Sequence, residues 1–376
     1  MRASIYVHFP WCLAKCPYCD FVSYAETREG IDHAGYADAV LAELDARAEL
    51  FRDREIASVF FGGGTPSLWD PNELGRVLAG IRARANVTSD VEITVECNPT
   101  SLDEERAKAL AGVGVGRVSI GTQSLRQDQL TYLGRLHDPN GAQRAVEAAL
   151  ANVPRVSTDL IFGLPGQTPE DAREQAIALA DMGLAHLSCY QLTIEPGTRF
   201  GELAKRGRLP LADDGQVAEA FLAIDEALTE RGLVHYEISN FARPGEEARH
   251  NLGYWRGEEY VGLGCAAYGY TRGVRYRNPI DPRKYVQGAK TATEESREPL
   301  DARMLLRERI MLGLRLATGF DVDAAGTELG LDPWTAERTR AAEQLVARGR
   351  LVREGGVLRI PRDAWLFTDD TAARLF

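Results

Sequence analysis

Short apolar runs alternate with longer amphipathic stretches through the first part of the chain. The runs 4–10, 58–64, 91–97, 117–123, 156–162 and 186–193 are β-branched and nearly continuous in apolar character. That is the composition of strands in a parallel sheet covered by helices. Between them, 33–51, 71–85, 103–112, 139–151 and 169–183 read as helices, with 213–232 after the last. Six βα units in this length predict an α/β fold, a partial (β/α)6 TIM-like barrel, in which chemistry gathers at the C-terminal ends of the strands. An open doubly wound sheet shares the same local pattern.

After the sixth run the rhythm loosens. YQLTIEPGT (190–198) contains a Pro-Gly turn, 199–212 is a polar loop placed to cover a barrel mouth, and 236–245 is strand-like again. Residues 271–298 are polar and rich in arginine and turn residues, which suits a linker or cap. From Asp301 the pattern becomes helices near 301–317, 321–330 and 333–348, then short strands Leu351–Val352 and Val357–Ile360 around Gly355-Gly356. Helices followed by a hairpin predict a C-terminal winged-helix-like α+β module. The expected organisation is a barrel over 1–235, a connecting segment over 236–298 and the module over 299–376.

Composition narrows the class. The chain has 376 residues, 44% hydrophobic and 26% charged, enough for a sizeable core. No apolar run reaches membrane-spanning length. The first strand begins almost at Met1, so no secretory signal is expected. A net charge of −11 argues against a nucleic-acid partner, which needs a basic footprint. Residues 301–376 carry twelve arginines, no lysine and twelve acidic residues. That balance makes the module a structural or partner-docking tail rather than a DNA reader.

The chemistry begins where the first strand ends. Cys12, Cys16 and Cys19 stand at C-x3-C-x2-C spacing, with Pro17 favouring a loop. Zinc loops usually repeat a pair of cysteines; here Cys97, Cys189 and Cys265 are scattered singly. Three thiolates also suit a four-iron cluster with one open iron position. Free thiolates require a reducing compartment, so a cytoplasmic location is expected. Other strand ends carry polar groups: Gly62-Gly63-Gly64-Thr65-Pro66, Glu96-Cys97-Asn98-Pro99, Gln123, then Arg135 and Asp159. Singly, each reads as a cap or a solvated end. Jointly, they line one face of a barrel.

The cysteine stretch, with Tyr18 just before the third cysteine, resembles the cluster loop of the radical S-adenosylmethionine (SAM) superfamily. The resemblance implies a [4Fe–4S] cluster on Cys12, Cys16 and Cys19, with SAM chelating the open iron. It favours the partial barrel over the open sheet. Gly63, Gly64 and Thr65 would then hold the SAM amino group through backbone. Glu96, Gln123 and Asp159 suit its ribose hydroxyls and ammonium, and Arg135 its carboxylate. In order along the chain, these segments are similar to the oxygen-independent coproporphyrinogen III dehydrogenases and their relatives. That likeness implies SAM binding by Tyr6, Gly63, Gly64, Thr65, Glu96, Gln123, Arg135 and Asp159, with Tyr18 beside the cluster.

His250-Asn251-Leu252-Gly253-Tyr254-Trp255 gathers a histidine and two aromatics. It reads either as a packed corner with one hydrogen-bonded histidine or as a haem site, with imidazole for the iron and rings for the macrocycle. The segment is similar to the H-N-x-x-Y-W motif of the radical SAM haem chaperones, the HemW branch. Phe21 at the fourth-cysteine position of the dehydrogenases, and the absence of their N-terminal extension, point the same way. The resemblance implies a haem carrier that delivers haem to apo-haemoproteins, with His250 on haem and no coproporphyrinogen dehydrogenase activity. The alternative is the dehydrogenase itself. Many sequences of the chaperone branch have a histidine in the later glycine-rich segment where this chain has Tyr268. Tyr268 and Cys265 are therefore the candidates for a second iron ligand.

Overall fold

A computed structural model describes residues 2–376. Aspartate or threonine followed by proline starts several helices, because the side chain accepts a free first-turn N–H and proline needs no partner for its own nitrogen. Asp70 with Pro71, Asp138 with Pro139 and Thr168 with Pro169 open α2 (Pro71–Arg84), α4 (Pro139–Asn152) and α5 (Pro169–Asp181) in this way. Asp32, Asp103 and Asp213 cap α1 (His33–Ala46), α3 (Glu104–Gly112) and α6 (Asp214–Glu230).

The strands between these helices are β1 (Arg2–Phe9), β2 (Glu55–Gly63), β3 (Asn86–Cys97), β4 (Arg117–Gln123), β5 (Arg155–Phe162) and β6 (His186–Gln191). They lie side by side in chain order, and each neighbouring pair is parallel. All six C-terminal ends therefore open on one edge. Side chains alternate between faces, so the two faces separate by chemistry. On β1, Ala3, Ile5, Val7 and Phe9 are fully buried in the main core, while Ser4, Tyr6 and His8 occupy the alternate positions. On β3, Ile93 and Val95 join that core, and Glu92, Thr94 and Glu96 take the other face. The sheet thus has a dry side and an interior polar side.

The sheet extends beyond the six expected strands. β7 (Val234–Glu237) and β8 (Asn240–Ala242) add an antiparallel hairpin next to β6. At the opposite edge β9 (Glu259–Leu263) runs parallel to β1, so β1 is not an edge strand. β10 (Tyr268–Thr271), β11 (Val274–Arg277) and β12 (Ser296–Pro299) follow it as an antiparallel meander. The full sheet has twelve strands. Residues 271–298, read as a linker or cap, hold β11, a short helix over Pro282–Gly288 and most of β12. Their pairing partners lie outside any local apolar pattern. The loop 199–212 holds a short helix, Arg199–Lys205, whose Phe200 N–H donates to the carbonyl of Pro17.

The segment around His250 is a helix, α7 (Arg249–Trp255). Its first amides, of Arg249 and His250, donate to the Glu92 carboxylate at 2.8 and 3.4 Å. An anion at a helix start is the favourable arrangement. Glu92 also pairs with Arg117, and both are buried.

The C-terminal part has its own apolar cluster, including Leu306, Ile310, Val322, Leu345, Leu358 and Trp365. It comprises α8 (Ala302–Gly313), α9 (Val322–Leu329), α10 (Ala336–Ala347) and a three-stranded sheet of β13 (Phe320–Asp321), β14 (Val352–Glu354) and β15 (Val357–Arg359), with β15 central. Trp365 packs edge-on against His235, and Arg362 forks onto Asp225. Among the described residues no helix is long and apolar enough to cross a membrane.

Candidate functional site

One cavity lies at the C-terminal ends of β1 to β5. Cys12, Cys16, Cys19, Tyr18, Gly63, Gly64, Thr65, Glu96, Gln123, Arg135 and Asp159 all line it. Parallel pairing brings them together, although they are spread over about 150 positions of sequence. The cysteine loop leaves β1 at Phe9 and is held by backbone. The N–H of Gly64 donates to the Phe9 carbonyl at 2.7 Å and that of Thr65 to Trp11 at 2.8 Å. A Cβ on Gly64 would lie 2.6 Å from the Trp11 oxygen, so only glycine lets β2 approach this closely. Gly63 has φ +107°, and a Cβ there would strike the His8 ring. The Gly63 N–H donates to Glu96 Oε2 at 3.0 Å. The three amides of this run are thus occupied, which leaves its carbonyls as the groups it offers a ligand.

The thiols sit in a graded field. The Thr65 hydroxyl donates to Cys12 Sγ at 3.3 Å, and Arg135 Nη1 reaches Cys16 Sγ at 3.5 Å. Burial raises the Cys12 and Cys19 thiols above the ordinary value, Cys19 to about 11, so they ionise when a metal centre supplies positive charge. Among the described residues no three His, Cys, Asp or Glu side chains converge as ligands of a single ion. The three cysteines face one cavity. Tyr18 fixes the loop from behind: it packs on Phe200, which also meets Tyr132.

The polar wall is strongly perturbed. Burial, then the charge of Asp159, raises the Glu96 carboxyl to about 8, partly offset by the Gly63 N–H. Burial raises Asp159 to about 6, against the hydrogen bonds of Ser188 and Ser119 and the charge of Arg135. Arg135 donates through Nη2 to the Gly121 carbonyl at 2.7 Å, but its buried Nε has no partner. The side-chain oxygen of Gln123 is likewise buried and unpartnered, on a residue held at φ 64°. Orphaned buried polar atoms are costly and mark a place where a ligand completes the hydrogen bonding. Two carboxyls, a guanidinium and an amide fit a small zwitterion carrying hydroxyls. The residues present therefore fit both a thiolate-bound cluster and SAM.

Two sequence candidates stand elsewhere. Tyr6 does not line the cavity; it lies beneath it, its hydroxyl 3.0 Å from His8 Nδ1 and its ring beside Phe60 and His250. Burial lowers His8 to about 4, and its Nε2 is 2.8 Å from the Val22 carbonyl, so Nε2 carries the proton and ties down the far end of the cysteine loop. His8 and Lys15, whose ammonium donates to the Phe21 carbonyl, were not singled out from the sequence. A polar residue at every second position of β1 was the available signal for His8.

His250 is the second. It is 2% exposed, stacked on Phe60 at 4.8 Å, and does not line the cysteine cavity. Ser58 donates to Ser4, so its oxygen accepts from His250 Nδ1 at 2.9 Å. The remaining lone pair, on Nε2, faces the Tyr254 hydroxyl at 3.0 Å. Burial lowers this imidazole to about 3, so it is neutral with both nitrogens engaged. Cys265 is buried too, its thiol donating to the Ile280 carbonyl at 3.0 Å. Tyr268, by contrast, is 46% exposed.

A parallel barrel whose strand ends carry three thiols and a buried polar wall is the arrangement of the radical SAM class. Residues 6–176 match the Radical SAM superfamily, and residues 300–367 the HemN C-terminal domain. The fold is that of the solved Escherichia coli coproporphyrinogen III oxidase HemN, with TM-score 0.83 over 100% of this chain and 89% of that one, at 20% identity. At that identity the likeness concerns fold alone. More specific are the curated relatives. The chain is 39% identical to the heme chaperone HemW of Escherichia coli over 79% of both chains. It is 34% identical to that of Mycobacterium tuberculosis over 97% of this chain and 93% of the other. It is also 35% identical to a mitochondrial radical S-adenosyl methionine domain-containing protein 1 of Danio rerio, over 85% and 74%. The chain belongs to the HemW family of heme chaperones.

Proposed function

We propose that this chain carries haem and passes it to apo-haemoproteins, with a [4Fe–4S] cluster and SAM held at the strand ends. The observation that carries the reading is the identity to proteins named heme chaperones, which in the Mycobacterium tuberculosis relative extends over 97% of this chain. Cys12, Cys16 and Cys19 would hold the cluster, which when bound supplies a redox centre with one iron open to SAM. Carbonyls of the Gly63–Gly64 run and the carboxyls of Glu96 and Asp159 would take the ammonium and hydroxyls of SAM. Arg135 would neutralise its carboxylate, and Gln123 would complete the wall. Tyr6, Tyr18 and His8 hold the floor and the loop in place. A thiolate site of this kind suits a reducing, cytoplasmic setting, and the charge-balanced C-terminal module suits protein docking rather than nucleic acid.

The test is anaerobic reconstitution of the full chain, followed by three assays: iron and SAM binding, haem transfer to an apo-haemoprotein, and turnover of coproporphyrinogen III with SAM and a reductant. Haem transfer without protoporphyrinogen formation is expected. Protoporphyrinogen formation without haem transfer would replace this reading with the dehydrogenase.

A further inference from the structure

Among the described residues the three most exposed large apolar side chains are Leu136, Leu211 and Phe21, at 63%, 60% and 57%, and all three stand around the cysteine loop. Phe21 follows Cys19 by two residues and lines the cysteine cavity. Leu136 follows Arg135 and borders Cys12 and Cys16. Leu211 ends a segment that flanks the loop: the Tyr132 hydroxyl donates to the Pro210 carbonyl at 2.9 Å, and the Tyr132 ring packs on Phe200. Pro17, between Cys16 and Tyr18, joins the two sides. Its carbonyl takes the Phe200 N–H at 2.9 Å, and its ring is so close to Gly134 that a Cβ there would meet it at 2.6 Å. Single surface hydrophobes need no explanation, but a group of them around one feature marks a docking surface.

The same flank carries unpaired positive charge. Residues 199–208 hold Arg199, Lys205, Arg206 and Arg208 against Glu202, in a chain of net charge −11. Lys205 is paired with Glu202 at 3.0 Å, while Arg199, Arg206 and Arg208 are exposed and enter no ion pair among the described residues. On the loop itself Lys15 and Asp20 offset one another, and the Lys15 ammonium is turned to the Phe21 carbonyl at 3.0 Å. The next carboxylates along the chain, Asp213 and Asp214, belong to the start of α6, which Asp213 caps. An acidic partner is repelled by the chain as a whole and drawn to this flank, so the flank sets where it lands.

Resting on the cluster reading above, we infer that the face formed by the cysteine loop, the turn at Leu136 and segment 199–211 is the landing surface of a small acidic one-electron carrier protein. Phe21 and Leu136 border the thiols themselves, and electron transfer weakens steeply with distance, so a carrier seated here is placed where it has to be. The apolar side chains exclude water at the contact, and the three free guanidiniums orient the carrier. One electron leaves the reduced carrier and enters the centre held by Cys12, Cys16 and Cys19; no bond forms or breaks, and no proton moves. Encounters of this kind use small, transient interfaces, and a patch of three apolar and three charged side chains has that scale.

The test uses the full chain, reconstituted anaerobically. Calorimetry with an oxidised ferredoxin and, separately, an oxidised flavodoxin reads docking at low and high ionic strength. EPR follows reduction by each reduced carrier and by dithionite. At least one carrier should bind, and bind more weakly at high salt. The variant combining Arg199→Glu, Arg206→Glu and Arg208→Glu alters exposed side chains only. It should weaken that carrier about tenfold or more and flatten the salt dependence, with iron content and dithionite reduction unchanged. Leu136→Gln should weaken it about fivefold at both ionic strengths. A loss confined to ferredoxin makes the carrier an iron–sulfur protein; a loss confined to flavodoxin makes it a flavoprotein. Wild-type carrier affinity in the triple variant overturns the docking face, as does a wild-type chain that holds the cluster and binds neither carrier. A wild-type chain that takes up no iron in the loop overturns the cluster reading and this inference together.

Discussion

Replacing Glu96 with glutamine should remove most of the pH dependence of SAM binding between pH 6 and 8. Glu96 sits beside Asp159 with its carboxyl raised to about 8, so near neutral pH it is largely protonated. A cationic ligand needs it ionised. At pH 6 only about one molecule in a hundred has the carboxylate, against half at pH 8, so affinity should climb about fifty-fold across that window. The ligand's own amino group titrates near about pH 8 and acts equally on both proteins, so the difference in slope is the quantity to read. Calorimetry in two buffers of different ionisation enthalpy should show proton release from the wild type on SAM binding, and less from Glu96→Gln. The glutamine variant should bind like wild type at pH 6 and more weakly at pH 8. Without SAM the linkage runs the other way. A carboxyl raised in the folded state binds more protons than it does unfolded between its ordinary value and about 8. Stability should therefore fall as pH rises through that range, and less so in the variant. Equal slopes in the two proteins would refute the argument.

Three further outcomes are expected. Cys12→Ala, Cys16→Ala or Cys19→Ala should each abolish the reconstituted cluster chromophore while circular dichroism stays unchanged; four irons retained by the triple variant would defeat the assignment. Arg135→Ala should weaken SAM by about 1.5–3 kcal/mol, the scale of a charged hydrogen bond, measured by equilibrium dialysis; unchanged affinity in both Arg135→Ala and Asp159→Ala would remove SAM from this cavity. Glu92→Ala strands the buried Arg117 guanidinium and uncaps α7, so urea unfolding should show a loss of about 3–5 kcal/mol; a loss under 1 kcal/mol would mean Arg117 is satisfied by Ser157 and the Glu246 carbonyl alone.

Much of this protein is decided locally. Apolar runs set β1 to β6, and capping aspartates and prolines set the helix starts, because each signal acts within a few residues. Once those strands are parallel, their ends share one edge, so the cysteines, the Gly63–Gly64 run, Glu96, Gln123, Arg135 and Asp159 meet without further instruction. What only the tertiary structure decides involves partners distant in sequence. β9 pairs with β1 across some 250 positions, and no local pattern marks it as parallel. Tyr6 has the alternation of an inward residue, yet it is the floor of the cavity because its hydroxyl turns to His8. His250 has the chemistry of an iron ligand. Its two nitrogens are engaged by Ser58, 192 residues away, and by its own helical neighbour Tyr254. A residue type states which bonds a side chain is able to make; the fold decides which of them are already made.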